Sequence, residues 1–207
     1  MNEIAEQTLD VTAQLKNRDS YSTLFCCFSM NSCIYRYKRL DSLSYTDTFN
    51  SKKVVSKRGF SIMQIFVSDK GFVKVYRMKS EKEFVKYFKL FFKEVGAPKA
   101  FIVYPHPSHK SNEVQTLLKK VSTTLQALEE STQYSDRAEV YIGIMKTSVG
   151  EDMQKTNSPM LLWCYTCERR AALIDLNANN PFQLLGQNPY MKNFVDMGDI
   201  SNLFQFG

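Results

Sequence analysis

The chain has 207 residues, of which 43% are hydrophobic and 23% charged, and a formal net charge of +6. That is ordinary for one folded α/β domain with terminal extensions. No apolar run approaches about 18 residues, which excludes a transmembrane helix, and Met1 to Gln14 do not form a secretory signal. A nuclear or cytoplasmic protein is expected, with no membrane partner. Residues 52 to 99 hold 13 Lys or Arg against four acids, a local balance of +9 within that net +6. A basic middle section suits a polyanion such as DNA, contacted through its phosphates and without sequence preference.

In chain order, Leu43 to Phe49 alternates apolar and polar residues and predicts a strand, with Asp47 in its second half. Gly59 to Val67 and Gly71 to Tyr76 predict two more, joined as a hairpin by Ser68-Asp69-Lys70-Gly71. A helix follows from about Ser80 to Val95. Phe84, Phe88, Phe91, Phe92 and Val95 are on its apolar face, and Lys82, Lys86, Lys89 and Lys93 on the other. Those lysines either keep the face wet or contact DNA. Gly96-Ala97-Pro98 ends the helix, and Ala100 to Tyr104 reads as a short buried strand. A helix then opens near Ser111, and a short strand spans Thr124 to Leu128. A long helix covers residues 136 to 155, and a second runs from Pro159 to about Leu176. The tail after Phe182 carries enough apolar residues, Tyr190 and Phe194 among them, to lie back on the domain.

The long helix holds the most informative pair. Ser135 or Asp136 caps it, and Ala138, Ile142 and Met145 mark its apolar stripe. Glu139 and Lys146, seven residues apart, project from nearly one face. The acid can hold a divalent metal and the lysine a phosphate. By itself such a pair is more often a solvated face.

Several short pieces occur in a telling order. They are Thr46-Asp47-Thr48-Phe49, Ser56-Lys57-Arg58-Gly59, Gln64-Ile65-Phe66-Val67, Glu94-Val95-Gly96-Ala97-Pro98 and Asp136-Arg137-Ala138-Glu139. Asn157-Ser158-Pro159 with Trp163, Asn188-Pro189 and Gly198-Asp199-Ile200-Ser201 complete the series. In this order they resemble the integrase core of copia-type LTR retrotransposons, a DDE recombinase of the RNase H-like fold. The resemblance implies a three-layer α/β fold, a mixed five-stranded sheet flanked by helices. It places a degenerate pre-integrase segment at residues 1–40, the core at 41–180 and a tail at 181–207. It further implies DNA as partner, Mg²⁺ or Mn²⁺ as cofactor if the site is active, and homo-oligomers.

The family holds its metals with three acids. Asp47 matches the first and Glu139 the third; the second position falls on Tyr104, 35 residues before Glu139. Strand transfer needs two ions about 3.5–4 Å apart. Mg²⁺ takes hard, charged oxygens, and a phenol with a pKa of about 10 is neutral at pH 7. Lys99 to Asn112 contains no Asp or Glu, so a shift of alignment supplies no acid. Asp47 and Glu139 remain as a weakened or lost metal site. Glu113, or His106 with His109 in the loop after Tyr104, are the candidate substitutes. DNA contacts are expected at Lys52, Lys53, Lys57 and Arg58 after the first strand, at Lys119 and Lys120 before the last, and at Lys146.

Five cysteines and no secretion signal point to a reducing compartment without disulfides. Cys164 and Cys167 form a Cys-x-x-Cys within a helical pattern that also places Met160, Leu161, Trp163 and Ala171 largely on one side, so buried thiols are expected. Zinc is not expected: residues 20 to 40, with Cys26, Cys27 and Cys33, contain no histidine. Three functions follow. The first is an integrase-like nucleic-acid-binding domain, impaired for strand transfer at Tyr104. The second is an active nuclease or nucleotidyltransferase with a substitute ligand, and the third a scaffold that kept the fold alone.

Overall fold

A computed structural model describes residues 37–51, 54–103, 111–128, 137–177 and 188–194. Its strands are β1 (Leu43–Asn50), β2 (Ile62–Ser68), β3 (Val73–Met78), β4 (Ala100–Val103) and β5 (Thr124–Ala127). Its helices are α1 (Phe84–Glu94), α2 (Asn112–Lys120), α3 (Arg137–Lys155), α4 (Trp163–Leu176) and the short α5 (Pro189–Phe194). Every strand and helix read from the pattern is present. The corrections are at element starts. β2 opens at Ile62 rather than Gly59, and Glu81–Glu83 and Met160–Leu162 are tighter 3₁₀ turns that precede α1 and α4. The expected cap of α3, Ser135 or Asp136, lies outside the described residues. Among those residues no helix is long and apolar enough to cross a membrane.

The sheet has the order β3-β2-β1-β4-β5. β1 runs antiparallel to β2 and parallel to β4. β2–β3 is the hairpin, with Gly71 in its turn at φ +83°, and β4–β5 is parallel. Crossing from β3 over α1 to β4, and from β4 over α2 to β5, the chain covers one face of the sheet; α3 and α4 cover the other.

Alternation along the strands sorts side chains between these two layers. Met63, Ile65 and Val67 pack with Ala138, Ile142, Met145 and Val149 of α3 and with Trp163, Cys164 and Cys167 of α4. Phe66 points the opposite way into an aromatic cluster. It stacks on Phe91 at 4.4 Å and meets Phe88 and Phe101 edge-on at 5.2 and 6.0 Å. This is why α1 spaces its phenylalanines at helical intervals while Lys86, Lys89 and Lys93 stay on its outer side.

Two chain ends are tied to this frame. Gly96, at φ +127°, lets the chain leave α1 past Lys38: a Cβ there would come within 2.5 Å of the Lys38 carbonyl oxygen. Parallel pairing of Arg39 with Ala97 then anchors residues 38–40 beside β4. Beside it, Phe72 meets Tyr190 and Phe194 of α5 edge-on, and Lys38 lies over the Phe194 ring, as expected of a tail that packs back.

Asp175 near the end of α4 is buried, and its carboxylate accepts the Val73 N–H at 2.6 Å. Burial raises its pKa well above the usual carboxylate value, more than the Val73 hydrogen bond and Lys74 lower it. The unfolded chain ionises Asp175 more readily than the folded one, so this group's contribution is fully present below the unfolded pKa. It is lost as pH rises toward the folded pKa. Asp175→Asn keeps an acceptor for Val73 without the charge. The variant should melt higher than wild type at about pH 7 and the same at about pH 3.5, below the usual aspartate pKa, as read by thermal unfolding at the two pH values.

Candidate functional site

Asp47 of β1 stands opposite Ile65 of β2, and Thr46 opposite Phe66. Asp47 therefore shares the face of Ile65, the face that α3 covers. It is half-buried, and its Oδ1 accepts the N–H of Thr48 at 2.7 Å. On the opposite face Thr46 is fully buried: its hydroxyl donates to the Ile65 carbonyl at 2.9 Å and accepts from Gln64 Nε2 at 2.5 Å. These bonds hold the backbone on either side of the carboxylate.

α3 is aligned over β1 by contacts near its start. Arg137 Nη1 donates to the Asp69 carbonyl at 2.5 Å, and the Tyr141 hydroxyl lies 3.0 Å from where a Cβ of Gly71 would stand. The Asp69 N–H in turn donates to the Leu43 carbonyl at the beginning of β1. Farther along, Lys146 and Val149 border the same cavity as Phe49 and Asn50 at the end of β1. At about 100° per residue, Glu139 and Tyr141 flank opposite edges of the buried Ala138–Ile142–Met145 stripe. Tyr141 is turned to the β2–β3 hairpin, so Glu139 and Lys146 occupy the edge toward β1 and β4. Both are exposed, and neither has an ion-pair partner among the described residues.

β4 approaches Asp47 from the other side. Val103, its last residue, pairs with Thr46, one residue before Asp47. Tyr104, His106 and His109 lie outside the described residues, as do Lys52, Lys53, Cys26, Cys27 and Cys33.

The remaining expected residues divide between two places. Lys57 and Arg58 are exposed in the turn after β1, where the Lys57 N–H donates to the Leu161 carbonyl at 3.2 Å. Lys119 and Lys120 do not join them. They end α2, whose buried Val114 and Leu118 face the α1 layer, and the chain then enters β5 opposite Ala100, at the far end of β4 from Val103. Glu113, the candidate substitute ligand, also stands apart from Asp47: it borders a groove between α1 and α2 with Lys89 and Lys120. Three cations of the basic section are already paired, Lys74 with Glu94, Arg77 with Glu168 and Lys99 with Asp41.

Cys164 and Cys167 are buried free thiols, as the helical pattern implies. Burial, with smaller effects of Cys164 and Glu168, pushes the Cys167 thiol up to about 12. Met160 and Leu161, expected beside them, are instead 60% and 49% exposed, because the 3₁₀ turn rotates them away from the stripe that α4 buries. Sequence reasoning also misses a cavity beside Lys146. Its trace in the sequence is faint: one small residue, Gly150, beside the stripe of Glu139 and Lys146.

The arrangement of sheet and helices is that of an integrase catalytic core, an RNase H-like fold. A chain of the simian T-cell lymphotropic virus intasome in complex with PP2A regulatory subunit B56 gamma is similar in structure, with a TM-score of 0.57 and 17% identity, over 73% of this chain and 53% of that one. The HTLV-2 integrase catalytic core domain in complex with magnesium is similar in its trimeric form, with a TM-score of 0.56 and 17% identity, over 73% of this chain and 95% of that one. Its dimeric form has a TM-score of 0.51, again at 17% identity, over 73% of this chain and 93% of that one. This chain thus spans about half the length of the simian viral chain. No family model and no curated protein sequence matches it.

The HTLV-2 integrase core named above is in complex with magnesium. Among the described residues no group of three or more His, Cys, Asp and Glu side chains is gathered to hold a metal. Of the three residues that the resemblance matches to metal positions, Asp47 and Glu139 are described and Tyr104 is not.

Proposed function

We propose that this chain is an integrase-like nucleic-acid-binding domain of copia-type retrotransposon origin that does not perform strand transfer. The observation that carries the reading is the β1–β4 register. Val103 pairs with Thr46, so the chain leaves β4 alongside Asp47, and the next residue is tyrosine where the family has its second acid. Asp47 and Glu139 retain the first and third positions. Without the second carboxylate, the negative charge needed to hold two ions falls short, and the two-ion clamp on the attacking and leaving oxygens is lost.

What supports DNA binding is a set of cations with no competing partner. Lys57, Arg58 and Lys146 are exposed, and none has an ion-pair partner among the described residues. They stand near the end of β1, on the side of the sheet that carries Asp47. Their contribution is attraction to phosphate, which is independent of sequence and weakened by salt. Oligomers, as in the integrase forms named above, fit this reading.

Incubation with supercoiled plasmid and Mn²⁺ tests it. The expected result is DNA retention at low salt with no nicking above the level of Asp47→Ala. Nicking by wild type that disappears in Asp47→Ala would instead establish an active nuclease.

A further inference from the structure

Beside Lys146 the fold forms a cavity of about 300 Å³, between the end of β1, α3 and the start of α4. Its walls are mainly apolar, with Phe49, Val54, Met153 and Trp163 among them. One polar feature breaks that surface. Lys146 borders it with a charge that has no ion-pair partner among the described residues. Trp163 is only 5% exposed, and its indole N–H is buried without an acceptor. The volume is at the small end of the range for ligand pockets.

We propose that this cavity binds a small apolar monocarboxylate, an aliphatic or aromatic acid of about eight carbons. The hydrocarbon lies against Phe49, Met153 and Trp163, and the carboxylate pairs with Lys146. Lys146 is shared with the DNA reading, but the test contains no nucleic acid, so either can fail without the other.

Trp163 is the only tryptophan of the chain, so its fluorescence reports on this cavity directly. Octanoate should change that fluorescence saturably, and octanol should bind about fivefold more weakly, since Lys146 is exposed. Lys146→Ala should weaken octanoate by a similar factor and leave octanol unchanged. Gly150→Leu is the filling variant. Gly150 borders the cavity, nothing lies within 4 Å of a Cβ added there, and replacing a mid-helix glycine favours the helix. It should abolish octanoate binding while its melting temperature is kept or raised. Absence of a saturable octanoate signal would overturn the proposal, as would full binding by Gly150→Leu. Equal affinity for octanol and octanoate would also overturn it, and would mark the cavity as a seat for an apolar side chain of a partner protein.

Discussion

Phe66→Ala is expected to lower the free energy of unfolding by about 3–5 kcal/mol, a large part of the roughly 5–15 kcal/mol typical of a domain. Phe66 is 1% exposed at the centre of the sheet, stacked on Phe91 at 4.4 Å and edge-on to Tyr76, Phe88 and Phe101. Truncation removes the ring from a cluster to which β2, β3, β4 and α1 all contribute, and no neighbour can fill the space without leaving its own contacts. Phe66→Leu retains most of the volume and should cost less. Urea unfolding followed by circular dichroism measures both. A cost for alanine below about 1 kcal/mol would mean that the aromatic cluster is not packed as described.

The second large effect concerns DNA. Replacing Lys57, Arg58 and Lys146 together by alanine should lower the slope of log affinity against log salt by about 3, one unit for each lost phosphate contact. At about 0.1 M salt the affinity loss should be on the order of several hundredfold, since each contact that fades toward 1 M is worth roughly 0.9 log unit per decade of salt. Lys119→Ala with Lys120→Ala, at the far end of β4, should change little. Fluorescence anisotropy with a random-sequence duplex separates the two sets. Equal losses from both would indicate diffuse attraction to a basic protein and would remove the reason to place DNA beside Asp47.

Much of the fold is legible in the sequence because local pattern and tertiary packing agree. Phenylalanines at helical spacing mark α1, Asp69-Lys70-Gly71 marks the hairpin, and the apolar run from Ala100 marks β4. The helix starts are less legible, since one residue more or less of 3₁₀ turn leaves no periodic trace but decides whether Met160 and Leu161 face the core or solvent. Asp47 and Glu139 are picked out by the resemblance to an integrase core and not by periodicity, which describes a solvated pair equally well. Lys119 and Lys120 fall apart from Lys57 and Arg58 because proximity in sequence to a strand does not tell which end of the sheet the chain enters. The β4–β5 register decides that: Thr124 pairs with Ala100, away from Val103. The cavity beside Trp163 leaves only Gly150 as its trace, because three elements distant in sequence build its walls.

Calorimetric titration with Mn²⁺ of wild type, Tyr104→Asp and Asp47→Ala/Tyr104→Asp tests most directly the proposal that Tyr104 leaves the site unable to hold two ions. Wild type should bind no ion pair, Tyr104→Asp should gain binding, and the double variant should lose it again. Saturable binding of two ions by wild type, abolished by Asp47→Ala alone, would contradict a site broken at Tyr104.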